Sequence, residues 1–118
     1  MSYVQGFVVA VPTANKDAYV KMATDAWPYF KELGAMEMME AWGADVSDGK
    51  VTDFKRAVQA KDDEAVVFSW IIWPDRNTAD IAGKRMMEED FMKDLGEMPF
   101  DGMRMIIGGF EPVVEVGR

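Results

Sequence analysis

The chain has 118 residues, 49% of them hydrophobic, and a net charge of −8 from 21 Asp and Glu against 13 Lys and Arg. That length predicts a single domain, residues 1–118, with enough apolar material for a real core. The acidity, with basic residues scattered rather than clustered, argues against nucleic acid and membrane surfaces as partners. The chain has no histidine and no cysteine, which removes imidazole bases, thiolate nucleophiles, Ser/His/Asp and Cys/His hydrolase arrangements, and the usual zinc sites. No metal and no cofactor is expected. The lack of cysteines fits a reducing compartment. The apolar stretch from Phe7 to Val11 is halted by Pro12 and has no basic flank, so it reads as neither signal peptide nor membrane span; a cytoplasmic protein is expected.

Tyr3 to Val11 is rich in β-formers and stops at Pro12, which supplies no ladder donor, predicting a first strand. A helix follows, with Asn15 as candidate N-cap and Asp17 in its first turn. Tyr19, Met22, Ala23, Ala26, Phe30 and Leu33 recur at helical spacing as far as Gly34. Pro28 within it removes one backbone bond and predicts a kink near Asp25. Met36 to Trp42 reads as a second strand. Lys55 to Ala60 can pair with the next strand as a hairpin, the favoured reading, or Asp53 to Val58 can form one helical turn. Ala65 to Trp73, closed by Pro74, is the third long strand pattern.

A second long helix is predicted from Asp75 or Asn77 through Ile81, Ala82, Arg85, Met86 and Glu89 toward Phe91. A loop from Gly96 to Gly102 then leads into a last strand, Met103 to Phe110, with Pro112 limiting its extension and Val113 to Val116 able to pair again. The order β, α, β, β, α, β is that of the ferredoxin-like split βαβ fold, of the α+β class, in which two helices cover one face of a sheet. The third strand is apolar on both faces: Val66, Phe68, Trp70 and Ile72 alternate with Val67, Ile71 and Trp73. One face therefore lacks cover within the chain, and the expected cover is the same face of a second copy, giving a homodimeric α/β barrel.

The segments Gly6-Phe7-Val8-Val9-Ala10-Val11-Pro12, Trp42-Gly43, Asp45-Val46, Asp48-Gly49-Lys50, Asp53-Phe54 and Val66 to Ile71 form a recognisable set. With them go Pro99-Phe100-Asp101-Gly102, Arg104-Met105-Ile106 and Gly108-Gly109-Phe110. Over nearly the whole chain these resemble the YbaA-like family of bacterial conserved hypothetical proteins, a domain of unknown function. The resemblance implies a dimeric α/β barrel, a superfamily that includes cofactor-independent monooxygenases, stress-responsive proteins and ligand-sensing domains, and it implies no reaction. A cysteine often precedes the Trp-Gly pair in that family, and a proline often follows the Asp-Val pair. Here Ala41 and Ser47 stand in those places, so thiol chemistry is not essential at that point.

Asp45, Ser47, Asp48 and Gly49 look superficially like the start of a calcium loop. Arg56 occupies the position where an EF-hand needs a bidentate Glu, and a polar turn is the better reading. The stretch from Asp45 to Asp53 is long for a connection and is a candidate flap.

The candidate ligand pocket is Gln5, Phe7, Glu40, Trp42, Ser69 and Arg104, placed in the barrel interior with Arg104 as partner of Glu40. Glu40 is the candidate proton acceptor if desolvated there, against a structural ion pair as the more frequent role of such a residue. The 11 methionines are read first as core filling and second as an adaptable binding surface. Trp42 and Trp70 are the tryptophans placed to stack on a ligand.

The leading reading is an uncharacterised protein that binds an apolar or aromatic small molecule, with cofactor-free monooxygenase or isomerase chemistry as its enzymatic form. The alternative is a non-catalytic stress-response or protein-interaction module with a filled barrel. A cavity of a few hundred Å³ is the feature that separates the two.

Overall fold

A computed structural model describes residues 2–90 and 96–117. Strand β1 (Tyr3–Pro12) leads through a single 3₁₀ turn (Thr13–Asn15) into helix α1 (Lys16–Glu32). Strand β2 (Glu37–Trp42), a one-turn helix α2 (Phe54–Ala57) and strand β3 (Glu64–Trp73) follow. Helix α3 (Arg76–Glu88), a second 3₁₀ turn (Gly102–Arg104) and strand β4 (Ile106–Phe110) complete the described elements. The result is a mixed α+β chain with a four-stranded open sheet in the order β2-β3-β1-β4, every neighbouring pair antiparallel. No described helix is long and apolar enough to cross a membrane.

The long central pairing sets the two faces. β1 and β3 run in register from Tyr3 opposite Trp73 to Pro12 opposite Glu64. Because side chains alternate along a strand, Gln5, Phe7, Val9 and Val11 fall on one face with Val67, Ser69, Ile71 and Trp73. Val9, Val11, Val67, Ser69, Ile71 and Trp73 are all buried. α1 and α3 cover this face: Leu33, Ala35 and Ala82 pack with Ile71 and Trp73, and Tyr19 packs with Val9, Val11 and Val67.

The opposite face has much less cover. Val58, just past α2, packs with Ala10 and Val66 at one end. Beyond it Met39, Phe68, Ile106 and Phe110 remain exposed, Phe68 at 44% and Phe110 at 60%. Phe54, Phe68 and Trp70 meet edge to face, with centroids 5.8 and 5.7 Å apart, so the aromatic groups of this face pack on one another and still meet solvent.

Several local expectations give way to specific contacts. Asn15 makes no side-chain cap for α1. The 3₁₀ turn feeds the helix directly, and the Asn15 amide instead donates to the Pro99 carbonyl at 2.9 Å, tying the start of α1 to the 96–102 loop. The helix continues through Pro28 and ends where Gly34 takes a φ of 111°, a conformation that favours glycine. Asp75, rather than Asn77, caps α3 by accepting the Thr78 N–H at 2.7 Å. α3 ends at Glu88, and the predicted endpoint Phe91 lies outside the described residues.

The favoured hairpin at Lys55 to Ala60 is replaced by the helical turn α2. Asp53 decides it, accepting the Arg56 N–H at 2.7 Å and the Gly49 N–H at 3.0 Å. Those backbone bonds, the Arg56 one first, hold the Asp53 carboxyl down at about 2. Arg56 in turn donates to the carbonyls of Val51 and Gly49, so the 49–53 segment is stapled to α2. A side chain at position 49 would run into the Thr52 backbone.

The last strand begins at Ile106 rather than Met103, and this moves Arg104. Its guanidinium forms a two-pronged pair with Glu64, both contacts 2.7 Å, and donates to the Gln59 carbonyl at 2.8 Å and to Asp101 at 3.1 Å. The pair is withdrawn from water, the side chains 14% and 4% exposed. Arg104 pulls the Glu64 carboxyl down from 4.5 to about 2.

A carboxyl whose folded pKa is depressed contributes stability that is complete above its unfolded value and is lost as pH falls through the folded one. Acid unfolding should therefore steepen between pH 4.5 and about 2, and Glu64→Gln should flatten that part of the stability profile. Arg104→Met leaves the Glu64 charge with only the Lys61 N–H as donor, and should cost about 3 kcal/mol in urea unfolding at pH 7.

Candidate functional site

Between the covered face of the sheet and helices α1 and α3 lies a cavity of about 500 Å³. Its floor is the strand residues Gln5, Phe7, Val9, Met38, Glu40 and Ile71. α1 contributes Tyr19, Met22 and Ala26 to the roof, and α3 contributes Met86. The cavity exists because the helical stripe of α1 narrows there to Ala23 and Ala26, small residues that leave space above the strands.

Glu40 is its central polar group. It lies on β2 opposite Ser69 of β3. Tyr19 donates its hydroxyl to Glu40 Oε1 at 2.6 Å, and Ser69 donates its hydroxyl to the same oxygen. Burial, then the charge of Glu40 and the hydrogen bond to it, push the Tyr19 hydroxyl well above its ordinary value, so Tyr19 stays protonated and remains a donor. Gln5 accepts the Trp73 indole N–H at 3.2 Å, which fixes its amide in the floor. One oxygen of Glu40 is thus saturated, while no described residue donates to Oε2.

The expected pocket residues divide accordingly. Gln5, Phe7 and Glu40 line the cavity, and Ser69 lies under it as a donor to Glu40. They face the helices of their own chain, not the open side of the sheet, because β2–β3 register places Glu40 and Ser69 on the covered side. Trp42 packs edge-on against Tyr19, centroids 6.5 Å apart, with the Lys16 ammonium 5.3 Å above its ring, and does not line the cavity. Arg104 is not the partner of Glu40: the 3₁₀ turn directs it to Glu64. Trp70 is on the open face, where its indole donates to Glu37 at 3.2 Å.

Tyr19 is the residue that sequence reading undervalues. It counts there as one apolar member of the α1 stripe, yet a phenol on a buried stripe needs an acceptor, and that need points to Glu40. Met22, Met38, Met86, Met87, Met98 and Met105 line the cavity; of these Met22, Met38, Met86 and Met105 also pack against the buried core, as core filling requires, whereas Met87 is exposed. In the polar loop, Asp48 binds Lys55 at 3.1 Å and Asp53 is spent on backbone N–H groups. No group of three or more acidic side chains among the described residues is arranged to hold a metal.

Comparison with known proteins matches residues 2–102 to the model of a family described as "Protein of unknown function (DUF1428)". The chain is 56% identical over 116 residues to the "Uncharacterized protein YbaA" of Escherichia coli K12, covering 98% of this chain and 99% of that one. The same figures hold for the protein of that name from Shigella flexneri. With a family match over most of its length and such relatives along nearly all of it, the chain belongs to the DUF1428 family of YbaA-like proteins of unknown function.

Proposed function

We propose that the protein is a cytoplasmic small-molecule-binding protein, built as a ferredoxin-like subunit of a dimeric α/β barrel, whose ligand is apolar or aromatic. The observation that carries this reading is the cavity of about 500 Å³, walled by aromatic and thioether side chains around the Glu40 carboxylate, with Asp90 the other charged group among its described lining residues. Its size falls within the range of pockets that enclose drug-sized molecules, and its few polar groups suit orientation rather than solvation of a ligand.

In the enzymatic form of this proposal, Glu40 accepts a proton from a bound electron-rich substrate. Tyr19 and Ser69 hold the carboxylate in place, and the apolar walls position the substrate beside it. That form suits cofactor-free oxygenation or isomerisation, where the substrate supplies the reactivity.

The dimer rests on the opposite face. Strand order β2-β3-β1-β4 supports the ferredoxin-like reading, and the uncovered Met39, Phe68, Ile106 and Phe110 support pairing through that face. A second copy would bring the same apolar patch and satisfy a two-fold interface.

Two measurements test these parts separately. Naphthalene, titrated in a thermal-shift or calorimetric assay, should bind the wild type. Ala26→Phe, which fills the space below α1, should lose that binding while keeping the far-ultraviolet circular dichroism of the folded chain; unchanged binding would place the ligand elsewhere. Light scattering after gel filtration should give the mass of two chains for the wild type and of one for Phe68→Asp, since the new charge would have to be buried in the interface. A wild-type monomer at micromolar concentration would remove the barrel.

A further inference from the structure

The charges that line the cavity carry a statement about its ligand. Among the described lining residues the charged groups are Glu40 and Asp90, both acidic, and none of those described residues is a Lys or Arg. Lys16, close to Tyr19 in the chain, has its ammonium over the Trp42 ring. Glu40 forms no salt bridge with a described residue. Both hydroxyl donors converge on Oε1, and no described polar atom is buried without a partner, so Oε2 is accessible to whatever fills the space. The ring-bearing side chains Phe7, Phe30 and Phe100 complete the lining beside the methionine thioethers.

We infer that the cavity selects an apolar ligand that carries a protonated amine and rejects ligands that carry a carboxylate. This rests on the ligand-binding reading proposed above and names the chemical class that would occupy the site. A carboxylate in an apolar pocket with no counter-ion among the described residues is completed by a cation that arrives with the ligand, and the ammonium N–H groups supply the donor that Oε2 lacks. Aromatic faces and polarisable sulfur around it favour a cation over an anion. A neutral alcohol satisfies the hydrogen bond without the charge. A carboxylate would meet Glu40 at close range in low dielectric with nothing to neutralise either.

The test is a matched series on one aromatic skeleton: naphthalene, 2-naphthylmethanol, 2-naphthylmethylammonium and 2-naphthoate, titrated into the full chain at pH 7.5 by calorimetry. The ammonium should bind about tenfold more tightly than the alcohol, and 2-naphthoate more weakly than naphthalene itself, because the Coulomb term changes sign along the series. In Glu40→Gln, whose amide oxygen still accepts from Tyr19 and Ser69, the preference for the ammonium should fall to within about twofold of the alcohol. Equal or tighter binding of 2-naphthoate to the wild type would overturn the inference without any variant, as would an ammonium preference that survives in Glu40→Gln. If naphthalene and the alcohol bind with no discrimination by charge, only this inference falls. If none of the four binds, the ligand-binding reading falls and takes the inference with it.

Discussion

The β1–β3 ladder is the constraint from which the remaining arrangement follows. Ten residue pairs, from Tyr3 with Trp73 to Pro12 with Glu64, fix the side to which every side chain of the two central strands points. A slip by one residue would send Ile71 and Trp73 to solvent and bring Phe68 and Trp70 under the helices. With that register set, β2 adds Glu40 beside Ser69, and β4 adds Ile107 beside Phe7. The polar pair Glu40 and Ser69 thus lies under α1, where the Tyr19 hydroxyl can reach it.

Much of this is legible in the amino-acid sequence because strand patterns are strong in this chain. Pro12 and Pro74 bracket the central strands, and the alternation in Ala65 to Trp73 is enough by itself to reveal two apolar faces. The elements that differ from expectation are decided by short polar contacts that leave no periodic trace. The helical turn α2 depends on the two oxygens of Asp53 reaching the backbone of Arg56 and Gly49. The place of Arg104 depends on a charge 40 residues away, Glu64, whose start-of-strand position gives no hint of a partner. Asn15 has the residue type of a cap and acts as a tether, because the preceding 3₁₀ turn already leads into α1.

The candidate site is half legible for a related reason. Alternation correctly groups Gln5, Phe7, Glu40 and Ser69. It does not say which of the two faces the helices cover, since both faces of β3 are apolar, and the pocket is accordingly expected between two sheets. Volume and lining separate the faces: Ala23 and Ala26 leave about 500 Å³ above Glu40, whereas the hollow beside Phe68 on the open side is about 270 Å³ and has no polar side chain in its lining. In the function we propose, the two faces have different tasks, enclosure of a small molecule on one and association of chains on the other.

Native mass spectrometry with 2-naphthylmethylammonium added to the protein tests both tasks in one spectrum. The account predicts two associated chains carrying one probe molecule each. Single chains with no added mass would contradict it.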